Sequence, residues 1–175
     1  SKNFGATWDT LAQTSFRSPC DIVIVPGNTN LWYVGDGITG SGSAQMWRST
    51  NYGRNWTSIY STSGSEIPMI GISRLRNTYA YATAWGSGGY NRTTDAGVTW
   101  PVIATTGSTW GTDIAKDDPN MVIYGTYGGS TSYLSTNGGA SFISSPLSGS
   151  NSALLAYDRA TILAQQTSGV WKYNV

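Results

Sequence analysis

A chain of 175 residues is enough for one domain that buries about two-thirds of its unfolded surface. Only 11% of it is charged and the net charge is +1, with no basic run, so nothing marks a nucleic-acid footprint. Histidine is absent, which removes Ser-His-Asp catalysis, Cys-His dyads and ordinary zinc chemistry; the longest apolar runs are strand-length and exclude a spanning helix.

The elements read as strands throughout. The chain opens on SKNFGATW (1–8), overlapping a strand ATWDTLA (6–12). There follow CDIVIV (20–25), the turn PGNTN, LWYVG (31–35), AQMWRS (44–49) and NWTSIY (55–60). The next set is MIGIS (69–73), TYAYAT (78–83), GYNRT (89–93) and VTWPVIA (98–104), and the third is TDIA (112–115), MVIYGTY (121–127), TSYLS (131–135) and ASFISS (140–145). The last is ALLAY (153–157), TILAQ (161–165) and GVWKY (169–173). β-Branched and aromatic runs bounded by Gly, Asn, Asp and Pro support four strands per set, and no stretch carries a helical period. The single cysteine, Cys20, has no internal partner and reads as a small buried hydrophobe beside a strand.

One phrase recurs: SKNFGATW, STNYGRNW (49–56), TTDAGVTW (93–100) and STNGGASF (135–142). Its glycines, Gly5, Gly53, Gly97 and Gly139, lie 48, 44 and 42 residues apart, a period that indicates a solenoid or a propeller. Each phrase falls between the third and outermost strand of its set. Asn3, Asn51, Asp95 and Asn137 supply an acceptor for the backbone of the turn, and each glycine suits a left-handed residue. Trp8, Trp56, Trp100 and Phe142 are expected to pack the hairpin. The last set lacks a fourth strand. GVWKYNV followed by SKNFGATW imitates residues 46–56, so residues 6–12 are expected to pair with 169–173 and close the fourth sheet, hiding its edge.

The pattern Ser/Thr-x-Asp/Asn-x-Gly-x-Thr/Asn/Ser-Trp/Phe resembles the Asp-box, or BNR, repeat of sialidases, endo-xyloglucanase-like glycoside hydrolases, sortilin-type receptors and photosystem assembly factors. The resemblance spans all four repeats. It implies an all-β β-propeller: four four-stranded blades with Asp-box turns between strands three and four, in a single domain over 1–175. Such relatives usually have more blades, so a compact four-bladed ring and a piece of a larger protein both stand open. Asn replaces Asp in three phrases and keeps the acceptor.

In a propeller the loops joining strands two and three share a face with the crossings between blades. That face would carry residues 36–43, 85–89, 127–130 and 167–169, with the crossings 13–19, 61–68, 105–111 and 146–152. Its candidate ligand-binding side chains are Arg17, Asp36, Trp85, Trp110 and Tyr127, since aromatics among Gly and Ser suit stacking on a sugar ring. For hydrolysis, Asp36 and Glu66 are the candidate acids. Asp36 in LWYVGDG is similar to a segment carrying a catalytic aspartate in xyloglucanase-like enzymes. Sialidase chemistry fits poorly, because the Arg-Ile-Pro signature is missing and Arg17 is followed by Ser-Pro. The expectation is a secreted or surface binding module for carbohydrate or an extracellular protein, without metal or other cofactor. The alternatives are a structural or assembly subunit, which brings oligomers with it, and a glycoside-hydrolase-like enzyme or fragment.

Overall fold

The structure is a computed structural model that describes residues 1, 3–11, 15–40, 42–129, 131–145, 154–166 and 169–175. The described residues contain strands and turns and no helix. Three sheets have four strands each. The first is β1 (Pro19–Ile24), β2 (Trp32–Asp36), β3 (Gln45–Ser49) and β4 (Thr57–Ser61). The second is β5 (Ile70–Ile72), β6 (Ala80–Thr83), β7 (Tyr90–Thr93) and β8 (Val102–Ala104). The third is β9 (Thr109–Ile114), β10 (Val122–Thr126), β11 (Ser132–Ser135) and β12 (Ile143–Ser144). The fourth has three strands, β13 (Leu154–Asp158), β14 (Thr161–Gln166) and β15 (Gly169–Asn174). Every pair is antiparallel and follows chain order, so each sheet is a meander.

Successive sheets stack face to face, and the alternation of each strand decides which residues seal the joint. Tyr33, Leu31 and Met46 of the first sheet meet Ile70, Ala80, Ala82 and Trp100 of the second, with the Tyr33 ring edge-on to Trp100 at 5.6 Å. Tyr81 and Tyr90 meet Ile114, Val122 and Tyr124 of the third; Tyr90 stacks on Tyr124 at 4.3 Å, and its hydroxyl lies 2.5 Å from Thr112 Oγ1. Met121, Ile123 and Leu134 meet Ala156, Ile162 and Ala164 of the fourth. Removing one of these fully buried side chains costs about 2–5 kcal/mol.

The four repeated phrases fold alike. In each, the first hydroxyl bonds the Asx oxygen and accepts the glycine N–H: Ser1 with Asn3 (3.0 Å) and Gly5 (2.8 Å), Ser49 with Asn51 (3.0 Å) and Gly53 (2.9 Å). Thr93 does the same with Asp95 (2.8 Å) and Gly97 (2.9 Å), and Ser135 with Asn137 (2.9 Å) and Gly139 (2.8 Å). The Asx oxygen then takes the N–H of Thr7, Asn55, Thr99 or Ser141 at 2.9–3.0 Å. Both central residues are left-handed, including Phe4, Tyr52 and Ala96 at φ 55°, 62° and 57°. Sequence reasoning assigned that strain to the glycines alone. The three non-glycine residues adopt it as well, held by this hydrogen-bond set.

Three expectations need correction. Residues 6–11 form no strand and β15 pairs with β14 alone, so the fourth sheet is not closed by the N-terminal segment among the described residues. Trp8, expected to pack a hairpin, is 78% exposed because the residues after it form no outer strand; Trp56 is half-buried, Trp100 buried and Phe142 half-buried. Cys20 is exposed at the rim of the first sheet, because it occupies the irregularity between Pro19 and Asp21 where β1 slips register. Partial desolvation, then the carboxylates of Glu66, Asp36 and Asp21, push its thiol up to about 11.

Candidate functional site

The phrase loops and the turns between first and second strands share one end of the sheets: the N–H of Tyr52, Ala96 and Gly138 bond the carbonyls of Asn30, Thr78 and Asn120. The opposite end is stitched loop to loop by backbone hydrogen bonds. Gly37 N–H donates to Ser18, Ile38 to Ser65, Ser65 to Trp85, Thr109 to Ala84 and Tyr127 to Ser108, all at 2.8–3.2 Å. This belt runs across the first three sheets and holds their loops in fixed register.

Three aromatic side chains converge there. Trp85 sits in the loop after β6 and is bridged by its backbone to Glu66. Trp110 lies inside β9, which begins three residues earlier than the sequence indicates and so carries it on a strand instead of a crossing loop. Tyr127 follows β10. Ring centroids are 6.5 Å apart for Trp85–Trp110, 5.8 Å for Trp85–Tyr127 and 4.8 Å for Trp110–Tyr127, the first two nearly perpendicular. Trp85 and Trp110 are half-buried and Tyr127 is 52% exposed. The indole N–H groups of both tryptophans and the Tyr127 hydroxyl have no hydrogen-bond partner among the described residues. An apolar platform with free polar tips offers stacking to a planar or ring-shaped ligand and hydrogen bonds to its edge.

Residues beneath the trio hold it. Buried Thr109 Oγ1 accepts the N–H of Ala84 (2.7 Å) and bonds the carbonyl of Gly89 (2.8 Å), pinning both ends of the Trp85 loop. Ser108 Oγ accepts from Gly86 N–H at 3.2 Å. Gly88 packs so closely that a Cβ would stand 1.9 Å from Thr62 Oγ1. None of these was singled out from the sequence. The one hint was the run TGSTWGT, where small hydroxylated residues surround Trp110.

The other candidates sit elsewhere. Asp36 is fully buried, and its oxygens accept from Arg17 N–H (3.0 Å), Ser18 N–H (2.7 Å) and the Trp47 indole (3.3 Å). That brace ties the entry to β1 onto the first sheet. A carboxylate attacking or protonating a glycosidic bond must reach it, and Asp36 has no exposed oxygen. Arg17 is likewise engaged, its guanidinium donating to the carbonyl of Ser43. Glu66 is half-buried and stands beside Trp85 through the backbone bridge; a Cβ at Gly37 would meet its Cγ at 3.1 Å. The structure therefore brings Trp85, Trp110 and Tyr127 together, keeps Asp36 and Arg17 as framework, and turns the Glu66 side chain toward Gly37 and Cys20 of the first sheet. Of the predicted loop face, residues 13–14, 41, 130, 146–152 and 167–168 lie outside the described residues.

A third acid, Asp113, is at neither end: it sits in the joint between the third and fourth sheets, where its Oδ2 accepts from Ala156 N–H at 3.1 Å. Burial raises its carboxyl from 3.8 to about 6, partly offset by the N–H groups of Ile114 and Ala156.

No family model matches the chain, and no curated protein matches it. Solved structures do. An ancestral GH74 enzyme superposes with a TM-score of 0.72 at 16% identity, over 96% of this chain and 24% of its own. YCF48 from Cyanidioschyzon merolae gives 0.65 at 15%, over 96% of this chain and 56% of its own, and YCF48 is also solved bound to D1 peptide. The WD40 beta propeller domain of Doa1 gives 0.54 at 11%, over 89% and 50%. The fold is thus that of a β-propeller, and the chain spans about a quarter of the GH74 enzyme's length. Among the described residues no helix is long and apolar enough to cross a membrane.

Proposed function

We propose that this chain is a binding module of a secreted or surface protein, built on Asp-box repeats, that takes a carbohydrate or an extracellular protein segment on the Trp85–Trp110–Tyr127 platform. The observation that carries the reading is the convergence of three partly exposed aromatic rings, whose polar tips have no partner among the described residues, on a loop end fixed by backbone bonds. Rigidity matters because a preformed platform pays little ordering cost on binding. Ring hydroxyls of a sugar, or the peptide groups of an extended segment, would take the indole N–H groups. Peptide capture by YCF48 supports the protein arm of the reading, and the burial of Asp36 favours binding over hydrolysis.

Polysaccharide and peptide arrays probed with the parent protein, Trp85→Ala and Trp110→Ala test it. Signal on one ligand class, lost in both variants while their melting temperatures stay near the parent's, is the expected result. Binding that survives both substitutions, or silence of the parent on both arrays, contradicts it.

A further inference from the structure

The chain has no basic run, yet the fold gathers four of its arginines at the phrase end of the first two sheets, away from the aromatic platform. Arg74 and Arg76 stand exposed in the turn between β5 and β6. Arg92 comes from β7, and its guanidinium donates to the carbonyl of Gly138 in the third sheet's phrase loop. Arg76 donates to Asn120 Oδ1 at 3.3 Å, and Gly138 N–H bonds the Asn120 carbonyl at 2.8 Å, so the two guanidinium groups end on neighbouring groups. Both are close enough to the Tyr81 hydroxyl to oppose the rise that burial imposes on it, to about 12. Arg48 does at the preceding joint what Arg92 does here. Its guanidinium donates to the Ala96 carbonyl at 3.2 Å, while Ala96 N–H bonds Thr78 in the turn that carries Arg74 and Arg76 (3.1 Å).

Among the described residues no carboxylate pairs with these arginines; the only ion pair is Arg159–Asp117. The Asp95 carboxylate is taken up inside its own phrase by Thr93, Val98 and Thr99, Asp118 Oδ1 accepts from Asn120 N–H, and Asp113 sits in the joint beyond. Arg92 Nε is buried with no acceptor among the described residues. The fold does not require a charge there. Leu134 holds the same place in the third sheet, paired with Ile123 as Arg92 is with Tyr81 and Arg48 with Tyr33, and it is buried. A half-buried charge without a counter-charge is unfavourable, and a guanidinium fork fits a carboxylate through two parallel N–H···O bonds. The surface is also partly apolar: Leu75, between the two exposed arginines, is 58% exposed, and Val98 of the second phrase 65%. Apolar side chains among arginines suit a polypeptide, which presents carboxylates and apolar groups along one strand; an acidic polysaccharide has no side chains to meet them.

We propose that this end binds an acidic protein segment. Its Asp or Glu carboxylates are held by Arg74, Arg76 and Arg92, with Arg48 adding charge beside them, and its apolar side chains rest on Leu75 and Val98. The surface is separate from the Trp85–Trp110–Tyr127 platform and does not depend on it, so one chain can hold a ligand at each end.

Fluorescence anisotropy with two labelled polyanions of matched charge tests this: a glutamate-rich copolymer with a minority of tyrosine, and polygalacturonate. The expected result is saturable binding of the copolymer at about 50 mM sodium chloride that weakens at least about tenfold at about 300 mM, because exposed ion pairs are screened by salt. The Arg74→Ser, Arg76→Ser double variant should lose affinity by at least about tenfold while its melting temperature stays near the parent's, since both side chains stand in an exposed turn. Arg92→Leu, which copies Leu134, should also bind more weakly, and Trp85→Ala should bind as the parent does. A parent that does not bind the copolymer overturns the proposal, as does equal affinity in the parent and the double variant. So does tighter binding of polygalacturonate than of the copolymer, which would assign the arginines to a polysaccharide. Loss of copolymer binding in Trp85→Ala also overturns it, since that would seat the copolymer on the aromatic platform.

Discussion

Gly97 and Gly107 have the same left-handed backbone, φ +79° and +80°, but different surroundings. A Cβ at Gly97 would stand 2.5 Å from the Tyr33 ring in the joint between first and second sheets, whereas nothing lies within 4 Å at Gly107. Gly107→Ala should therefore cost only the backbone strain, about 1 kcal/mol, and Gly97→Ala that plus displacement of a buried ring, about 3 kcal/mol in all. Urea unfolding of the two variants measures the difference; equal losses would mean the Tyr33 joint is looser than described. The acceptors at Asn3, Asn51, Asp95 and Asn137 were legible in the sequence because an Asx side chain and a glycine two positions apart admit few turns. Cys20 was not, since neighbouring strand letters say nothing about a register slip that lifts one residue to the rim.

At the scale of elements, the joint between third and fourth sheets contains a titrating group. Asp113 is neutral in the folded chain up to about 6, while in the unfolded chain it ionises near 3.8. Between those values the folded form holds more protons, so its contribution to stability falls as pH rises through the window and stays low above it. Asp113→Asn keeps an acceptor for Ala156 N–H without the charge. The variant should match the parent near pH 4 and exceed it by about 2 kcal/mol at pH 7.5. Thermal melts across that range decide it, and a gap that does not change with pH would contradict the burial of this carboxyl. Strand positions were readable from alternation and turn residues, most within a residue or two. The early start of β9 was not, because Thr109 and Trp110 follow Gly107 and Ser108 and resemble loop; what extends the strand is pairing with Thr126 of β10, a tertiary contact.

For the whole molecule, the even spacing of the phrases revealed the sheet stack, and composition revealed an aromatic, weakly charged loop end. The spacing could not say whether the stack closes. Four consecutive repeats look alike whether they form a full circle or an arc, and the curvature that separates the two arises from side-chain volumes in the joints. Nor could it rank the loop residues. Asp36 and Trp85 follow similar strand ends, and only packing shows one carboxylate sealed by three donors and one indole left open.

The claim on which the account turns is that Trp85, Trp110 and Tyr127 act together as a binding platform. Isothermal titration with the strongest array ligand tests it most directly, comparing the parent with Trp110→Ala and Tyr127→Ala. Saturable binding by the parent, weakened at least about tenfold in each variant as expected for loss of roughly 1.4 kcal/mol of stacking, is the predicted result. Unchanged affinity in both, with the fold intact, would contradict it.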